Sequence, residues 1–194
     1  MQDAILMQQV HGNNVVRVDS GNIGTTIPQC DALITNDPEV TLEVRVADCI
    51  PISIIDQKGR GVGLIHAGWR GLDNRIIEKC IRMMSQEFTI NKEELIIKIG
   101  PHICVYHFEI KEDVASKFNN YPEALIFKGG SLQGGRTYLD LGKVAEIQLI
   151  ALGIKKENIT IDTLCTFEDK NLYSYRRDKT DKRNLIYLTL SPRG

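Results

Sequence analysis

Residues 44–71, VRVADCIPISIIDQKGRGVGLIHAGWRG, decide how this chain is read. Two apolar runs, Ile50 to Ile55 and Gly61 to Ile65, flank the turn-forming cluster Asp56-Gln57-Lys58-Gly59-Arg60, which is the pattern of a β-hairpin. With the turn centred on Lys58, Ile50 pairs with His66 and Cys49 with Ala67. Cys49 and His66 then meet at the open end of the hairpin, where cross-strand Cβ atoms lie roughly 4.5–5.5 Å apart. A thiol and an imidazole held that close can share a metal ion or act as nucleophile and base.

Downstream, Ala67-Gly68-Trp69-Arg70-Gly71 runs into Leu72 to Phe88, where Ile76, Ile77, Cys80, Ile81, Met84 and Phe88 recur at helical spacing. A strand-to-helix turn flanked by glycines offers backbone N–H groups and the positive end of a helix dipole to an anion. Arg70 adds a planar fork that fits phosphate or carboxylate oxygens, against the alternative of a solvated surface residue. Upstream, His11 lies at a turn between the apolar segment Ala4 to Val10 and the alternating Val15 to Val18. Alone it reads as a polar turn residue. Asp31 opens the strand Cys30 to Thr35, as a turn-closing aspartate does. The strand Thr41 to Ala47 delivers Asp48-Cys49, and Pro51 just beyond marks an irregular break, a poor place for a plain core thiol. Cys80, Met83 and Met84 read as core packing.

Further along, Leu95 to Ile99 is a buried strand. In GPHICVYHFEI, residues 100–110, the spacing of His102, Cys104 and His107 matches no common ligand pattern, and the segment reads as a loop entering a strand. Lys111 to Phe118 is a short helix. KGGSLQGGR, residues 128–136, lacks the Lys-Ser or Lys-Thr ending of a P-loop and reads as a hairpin or lid. Asp140 caps a helix, Leu141 to Leu152. A strand from Ile159 to Leu164 precedes Tyr173-Ser174-Tyr175-Arg176-Arg177-Asp178, an ion-paired cluster or an anion holder, and Leu185 to Leu190 is the last strand.

At 194 residues the chain fits one domain with a real core, and 42% hydrophobic and 25% charged residues are ordinary for a soluble protein. A formal net charge of −1 gives no field for nucleic acid or a membrane surface, so any anion site is local. The apolar runs are strand-length, and the first residues lack the basic and apolar segments of a secretory signal, so the expected compartment is the cytoplasm. Five cysteines, an odd number without a CxxC pair, argue against a disulfide framework and a four-cysteine zinc finger.

The motifs QVHG, DALIT, ADCIPI, HAGWRG, LDL and SYRRD, in this order, resemble the laccase-domain proteins, also called YfiH-like or PgeF-like, whose animal relative is FAMIN. The likeness spans nearly the whole chain, read as one catalytic domain over residues 1–194. It implies an α+β fold in which mixed β-sheets pack together, flanked by helices, in α/β/β/α layers. It implies purine nucleoside phosphorylase activity with associated adenosine deaminase activity, acting on purine nucleosides and phosphate. It further implies a zinc site formed by His11 of QVHG, Cys49 of ADC and His66 of HAGWRG. Two imidazoles and a thiolate leave a fourth tetrahedral position open, the mark of a catalytic zinc. Arg70 and the backbone from Gly68 to Gly71 are then expected to hold phosphate, Arg176 to assist, and Gln9 or Asp48 to orient the metal ligands. Members of that family carry several dozen residues before QVHG, so the chain is expected to be short at its N-terminus. In residues 100–110, Cys104 and Val105 stand where the family has Gly-Pro.

Three other readings compete. A cysteine hydrolase would use Cys49 and His66 and leave His11 idle. A copper oxidase acting on phenols is disfavoured, because four histidines are too few for a multicopper centre. In a non-catalytic binding protein the three ligands would be a structural metal clamp. The expected assembly is a monomer or a weak homodimer.

Overall fold

The computed structural model describes residues 3–129 and 135–191. Seven strands come first: Ile5–Met7 (β1), Val15–Arg17 (β2), Thr26–Ile27 (β3), Ala32–Thr35 (β4), Thr41–Val46 (β5), Ile50–Asp56 (β6) and Val62–Ala67 (β7). Helices Trp69–Asp73 (α1) and Ile76–Phe88 (α2) follow, then Leu95–Ile99 (β8), Glu109–Ile110 (β9), Glu112–Ala115 (α3), Leu125–Lys128 (β10) and Arg136–Leu139 (β11). Leu141–Ala151 (α4), Ile159–Ile161 (β12), Tyr175–Asp178 (α5) and Asn184–Thr189 (β13) complete the order.

The expected hairpin lies at the centre of a six-stranded mixed sheet, ordered β12-β8-β6-β7-β4-β2. Its register differs by one residue from the expectation: Ile50 faces Ala67 and Pro51 faces His66. The reason is the turn. Asp56 N donates to Gly61 O, and the four residues 57–60 between them place the centre between Lys58 and Gly59, with Gly59 at φ 66°. Asp56 also accepts from Arg60 N at 2.9 Å, which closes the loop from inside.

Both faces of this sheet are covered, which is why its central strands read as nearly unbroken apolar runs. Ile52, Ile54 and Ile65 pack with Ile77, Cys80, Ile81 and Met84 of α2 and with Val144 and Leu149 of α4. On the opposite face Leu33, Val62 and Leu64 meet Ile5, Leu42, Val44 and Val46 of a four-stranded sheet, ordered β13-β5-β1-β3. The α+β class with packed mixed sheets is therefore as expected. The layers run from α2 and α4 through the six-stranded sheet to the four-stranded one, whose outer face carries half-exposed Leu185 and Tyr187.

Two local expectations change. The helix expected over Leu72 to Phe88 is two helices, because Arg75 adopts the left-handed conformation at φ 57° and separates α1 from α2. The glycine-rich stretch 128–136 does lie at an antiparallel hairpin, with Lys128 opposite Arg136, but residues 130–134 fall outside the described residues. The cysteines are free thiols. Among the described residues no helix is long and apolar enough to cross a membrane.

Candidate active site

Beyond β1 the chain turns at Val10, His11 and Gly12, and the three backbone N–H groups donate to one carboxylate, Asp31, at 3.2, 2.9 and 2.7 Å. These bonds hold His11 at φ 58°, a conformation a non-glycine residue keeps only when its surroundings enforce it. Asp31 is fully buried, and its Oδ1 also lies 2.8 Å from His66 Nδ1. One carboxylate thus fixes both histidines, and with Nδ1 of His66 engaged, Nε2 is the atom left to act as a ligand.

The corrected hairpin register puts Cys49 opposite Gly68, just beyond the paired strands. A Cβ at Gly68 would stand 3.1 Å from Cys49 Sγ and 3.4 Å from the His11 ring, so this glycine leaves room for the cluster. Ligand atoms of His11, Cys49 and His66 lie within 4.8 Å of one another, and the two imidazoles meet edge to face at 4.7 Å. Burial pushes the Cys49 thiol up, yet hydrogen bonds and charge from His11 and His66 outweigh it and bring it down to about 6. Burial pushes His66 down, but Asp31 and Cys49 outweigh that and raise it to about 9. Burial likewise opposes ionisation of Asp31, and the bonds from His66, Gly12 and His11 keep its carboxyl below the usual carboxylate range. The two shifts run together and favour a thiolate beside an imidazolium, the charge pattern that a cation would replace.

These three side chains form one wall of a cavity of about 690 Å³. Gln9, Asp48, Gly68, Arg70 and Arg176 line it too, so the residues singled out from the sequence converge on one site. Arg45, Lys179 and Arg183 add positive charge, and Trp69, Phe108 and Tyr175 add aromatic surface. Five cations face one aspartate there, which makes a local anion-attracting region on a chain of net charge −1. The Arg70 guanidinium lies 4.3 Å over the Trp69 ring. That of Arg176 donates to Glu109 O and sits over Phe108.

The side chains of Gln9 and Asp48, expected to orient the metal ligands, make their hydrogen bonds elsewhere. Gln9 is bonded through both amide atoms to the backbone of Arg45, where it splints β1 to β5. Asp48, at φ 93°, accepts from Thr166 Oγ1 at 2.7 Å and from Arg176 N at 2.6 Å. The orienting carboxylate is Asp31. Its local signal, an aspartate before a strand, was correctly that of a turn closer. Its bond to a histidine 35 positions away left no mark in the sequence.

The family described as multi-copper polyphenol oxidoreductase laccase matches residues 1–189. The chain belongs to that family. It is similar to proteins named purine nucleoside phosphorylase from Staphylococcus saprophyticus, 35% identical over 92% of this chain and 69% of the relative, and from Bacteroides thetaiotaomicron, 28% identical over 91% and 68%. Its fold matches the crystal structure of Bacillus licheniformis YfiH with a TM-score of 0.89 at 26% identity, over 97% of this chain and 74% of that one. This laccase domain brings only two of its four histidines to the cluster, despite the copper in the family's description.

Proposed function

We propose that this laccase-domain protein is a purine nucleoside phosphorylase that also deaminates adenosine, with a zinc ion held by His11, Cys49 and His66. The observation that carries the reading is the cavity, which combines a ready metal cluster, aromatic faces for a purine and a group of cations for phosphate. The names of its relatives support the same activity.

The donor set fits zinc: one thiol already drawn towards thiolate and two imidazoles, all three lining the cavity. When bound, zinc supplies Lewis acidity and lowers the pKa of a coordinated water. The chain's own residues do the rest. Asp31 fixes the tautomer and ring plane of His66, and Gly68 leaves space beside the thiolate. Phe108, Trp69 and Tyr175 offer flat faces to the purine. Arg70 holds phosphate from beside the Gly68 turn, and Arg176, anchored at Glu109 O, adds a second positive charge.

In phosphorolysis a phosphate oxygen forms a bond to C1′ as the C1′–N9 bond breaks. The bonding pair leaves with the purine, which takes up a proton, and the sugar departs as ribose 1-phosphate. In deamination water adds at C6 of adenosine and ammonia leaves, giving inosine. Incubating the purified protein with adenosine, with and without phosphate, separates the two by chromatography of the products. Adenine only with phosphate supports phosphorolysis, and inosine in both samples supports deamination. Neither product from zinc-loaded protein contradicts the reading.

A cysteine hydrolase built on Cys49 and His66 is the second reading, favoured by the thiol's descent to about 6 beside a base. Chelation distinguishes them, because a Cys-His pair keeps its activity when zinc is removed and a zinc enzyme recovers only when zinc returns.

A further inference from the structure

We propose a second metal site, outside the cavity, in which Cys104, His107, Cys165 and Glu168 bind a zinc ion. Their four ligand atoms lie within 4.8 Å of one another, and none of the four residues lines the cavity. Cys104 Sγ is 3.2 Å from His107 Nδ1 and 3.8 Å from Glu168 Oε1. His107 Nδ1 is 3.4 Å from Glu168 Oε1 and 4.0 Å from Cys165 Sγ. A zinc tetrahedron with Zn–S bonds of about 2.3 Å and Zn–N or Zn–O bonds of about 2.0 Å has edges of roughly 3.3–3.8 Å. The observed separations scatter about those edges, so small side-chain rotations suffice to close the polyhedron.

The site is assembled from two matching turns. Cys104-x-x-His107 spans a short 3-10 helix, residues 105–107, and Cys165-x-x-Glu168 spans a turn closed by Glu168 N to Cys165 O. A bridge between His102 and Cys165 and the bond from Thr166 N to His102 O dock the turns side by side. Cys104 N donates to Cys165 Sγ at 3.2 Å, which holds that sulfur against the first turn. Phe167 stacks on the His107 ring at 4.2 Å and fixes its plane. From the sequence the segment holding Cys104 and His107 reads as a loop that matches no common ligand pattern, because Cys165 lies 61 positions on. Two thiolates, an imidazole and a carboxylate form a closed four-ligand set, which is the structural type of zinc site.

The position gives the site a task. Phe108, next to His107, lines the cavity, and Thr166, next to Cys165, donates to Asp48. The carbonyls of Thr166 and Phe167 accept from Arg177, beside Arg176. A metal here ties the segment that carries Phe108 to the one that holds Asp48 and Arg177.

The test uses the full chain carrying Cys49→Ala, which disables the cavity cluster and makes the result independent of the function proposed above. Protein prepared under reducing conditions is loaded with zinc, desalted and assayed for metal. One zinc per chain is expected, falling below about a tenth with His107→Ala added, while Glu168→Gln weakens zinc binding at least ~10-fold. In the wild-type chain, zinc should protect Cys104 and Cys165 from alkylation together, and a chelator should expose both together. Zinc-free but folded Cys49→Ala protein, retention of the metal by the His107→Ala variant, or a Cys104–Cys165 disulfide under reducing conditions would each overturn the proposal.

Discussion

Asp31 shows how much of this site rests on one side chain. Its carboxylate takes three backbone N–H groups and a histidine, so Asp31→Asn keeps the shape and removes the charge that fixes His66. Zinc affinity should fall by about 10–100-fold, read by competition with a chromophoric chelator, while the melting temperature changes far less. Cys49 gives a pH test. Its folded pKa of about 6 lies below that of a free thiol, so in metal-free protein it is a thiolate above about pH 6 and protonates below it. Cys80, pushed up by burial to about 12, and Cys30, pushed up to about 11 by burial and by Asp31, stay protonated at neutral pH. Mass-mapped alkylation of chelated protein should label Cys49 first, with its rate half-maximal near pH 6, and added zinc should suppress it. Labelling of Cys49 only above pH 8 would contradict the cluster. Cys49 and His66 were legible in the sequence as neighbours across a hairpin, and His11 joined them only through the family resemblance. The carboxylate behind them was not, because hydrogen bonds across 19 to 35 positions follow from tertiary packing.

At the scale of elements, the central hairpin was readable from its apolar runs and turn residues, and its register was missed by one. An odd and an even loop look alike until the closing Asp56 to Gly61 pair is known. Asp56, paired with Arg60, is buried there too. Gly63 on β7 explains how α2 seats itself: a Cβ there would meet Met84 Sδ at 2.8 Å and Cys80 Sγ at 3.3 Å. Gly63→Ala should force the helix outward and cost about 1–3 kcal/mol in chemical denaturation, with zinc binding kept. An unchanged midpoint would mean that the helix–sheet contact is looser than this packing implies. The break at Arg75 escaped the sequence reading, because the apolar spacing of α2 carries no sign of a left-handed residue before its first turn.

Across the whole molecule, the turn that sets the hairpin also anchors β8. Arg60 bonds both Asp56 and Glu94, and Lys58 pairs with Glu94 at 2.5 Å. Burial opposes ionisation of Asp56, but Arg60 outweighs it and the carboxyl stays below its usual range, while Lys58 and then Arg60 lower Glu94. Groups depressed in the folded state stabilise it above their unfolded pKa, near 4, and this contribution is lost as pH falls through the folded values. The melting temperature should therefore drop below about pH 4. Arg60→Ala should cost about 1–3 kcal/mol at neutral pH, by taking the guanidinium from a buried carboxylate that keeps only its backbone bonds, and should flatten the acid limb. Equal acid limbs in the two proteins would remove this network from the account.

The whole molecule places five cations, three aromatic rings and a two-histidine, one-cysteine cluster around one cavity, and the central claim is that this cavity performs phosphorolysis. Phosphorus NMR of the protein with inosine and inorganic phosphate tests it most directly. Ribose 1-phosphate should appear in step with hypoxanthine, with the rate falling about 100-fold in Arg70→Ala, a change of ~2.7 kcal/mol in transition-state stabilisation. Hypoxanthine released without consumption of phosphate, or ribose 1-phosphate formed equally fast by Arg70→Ala, would contradict the account.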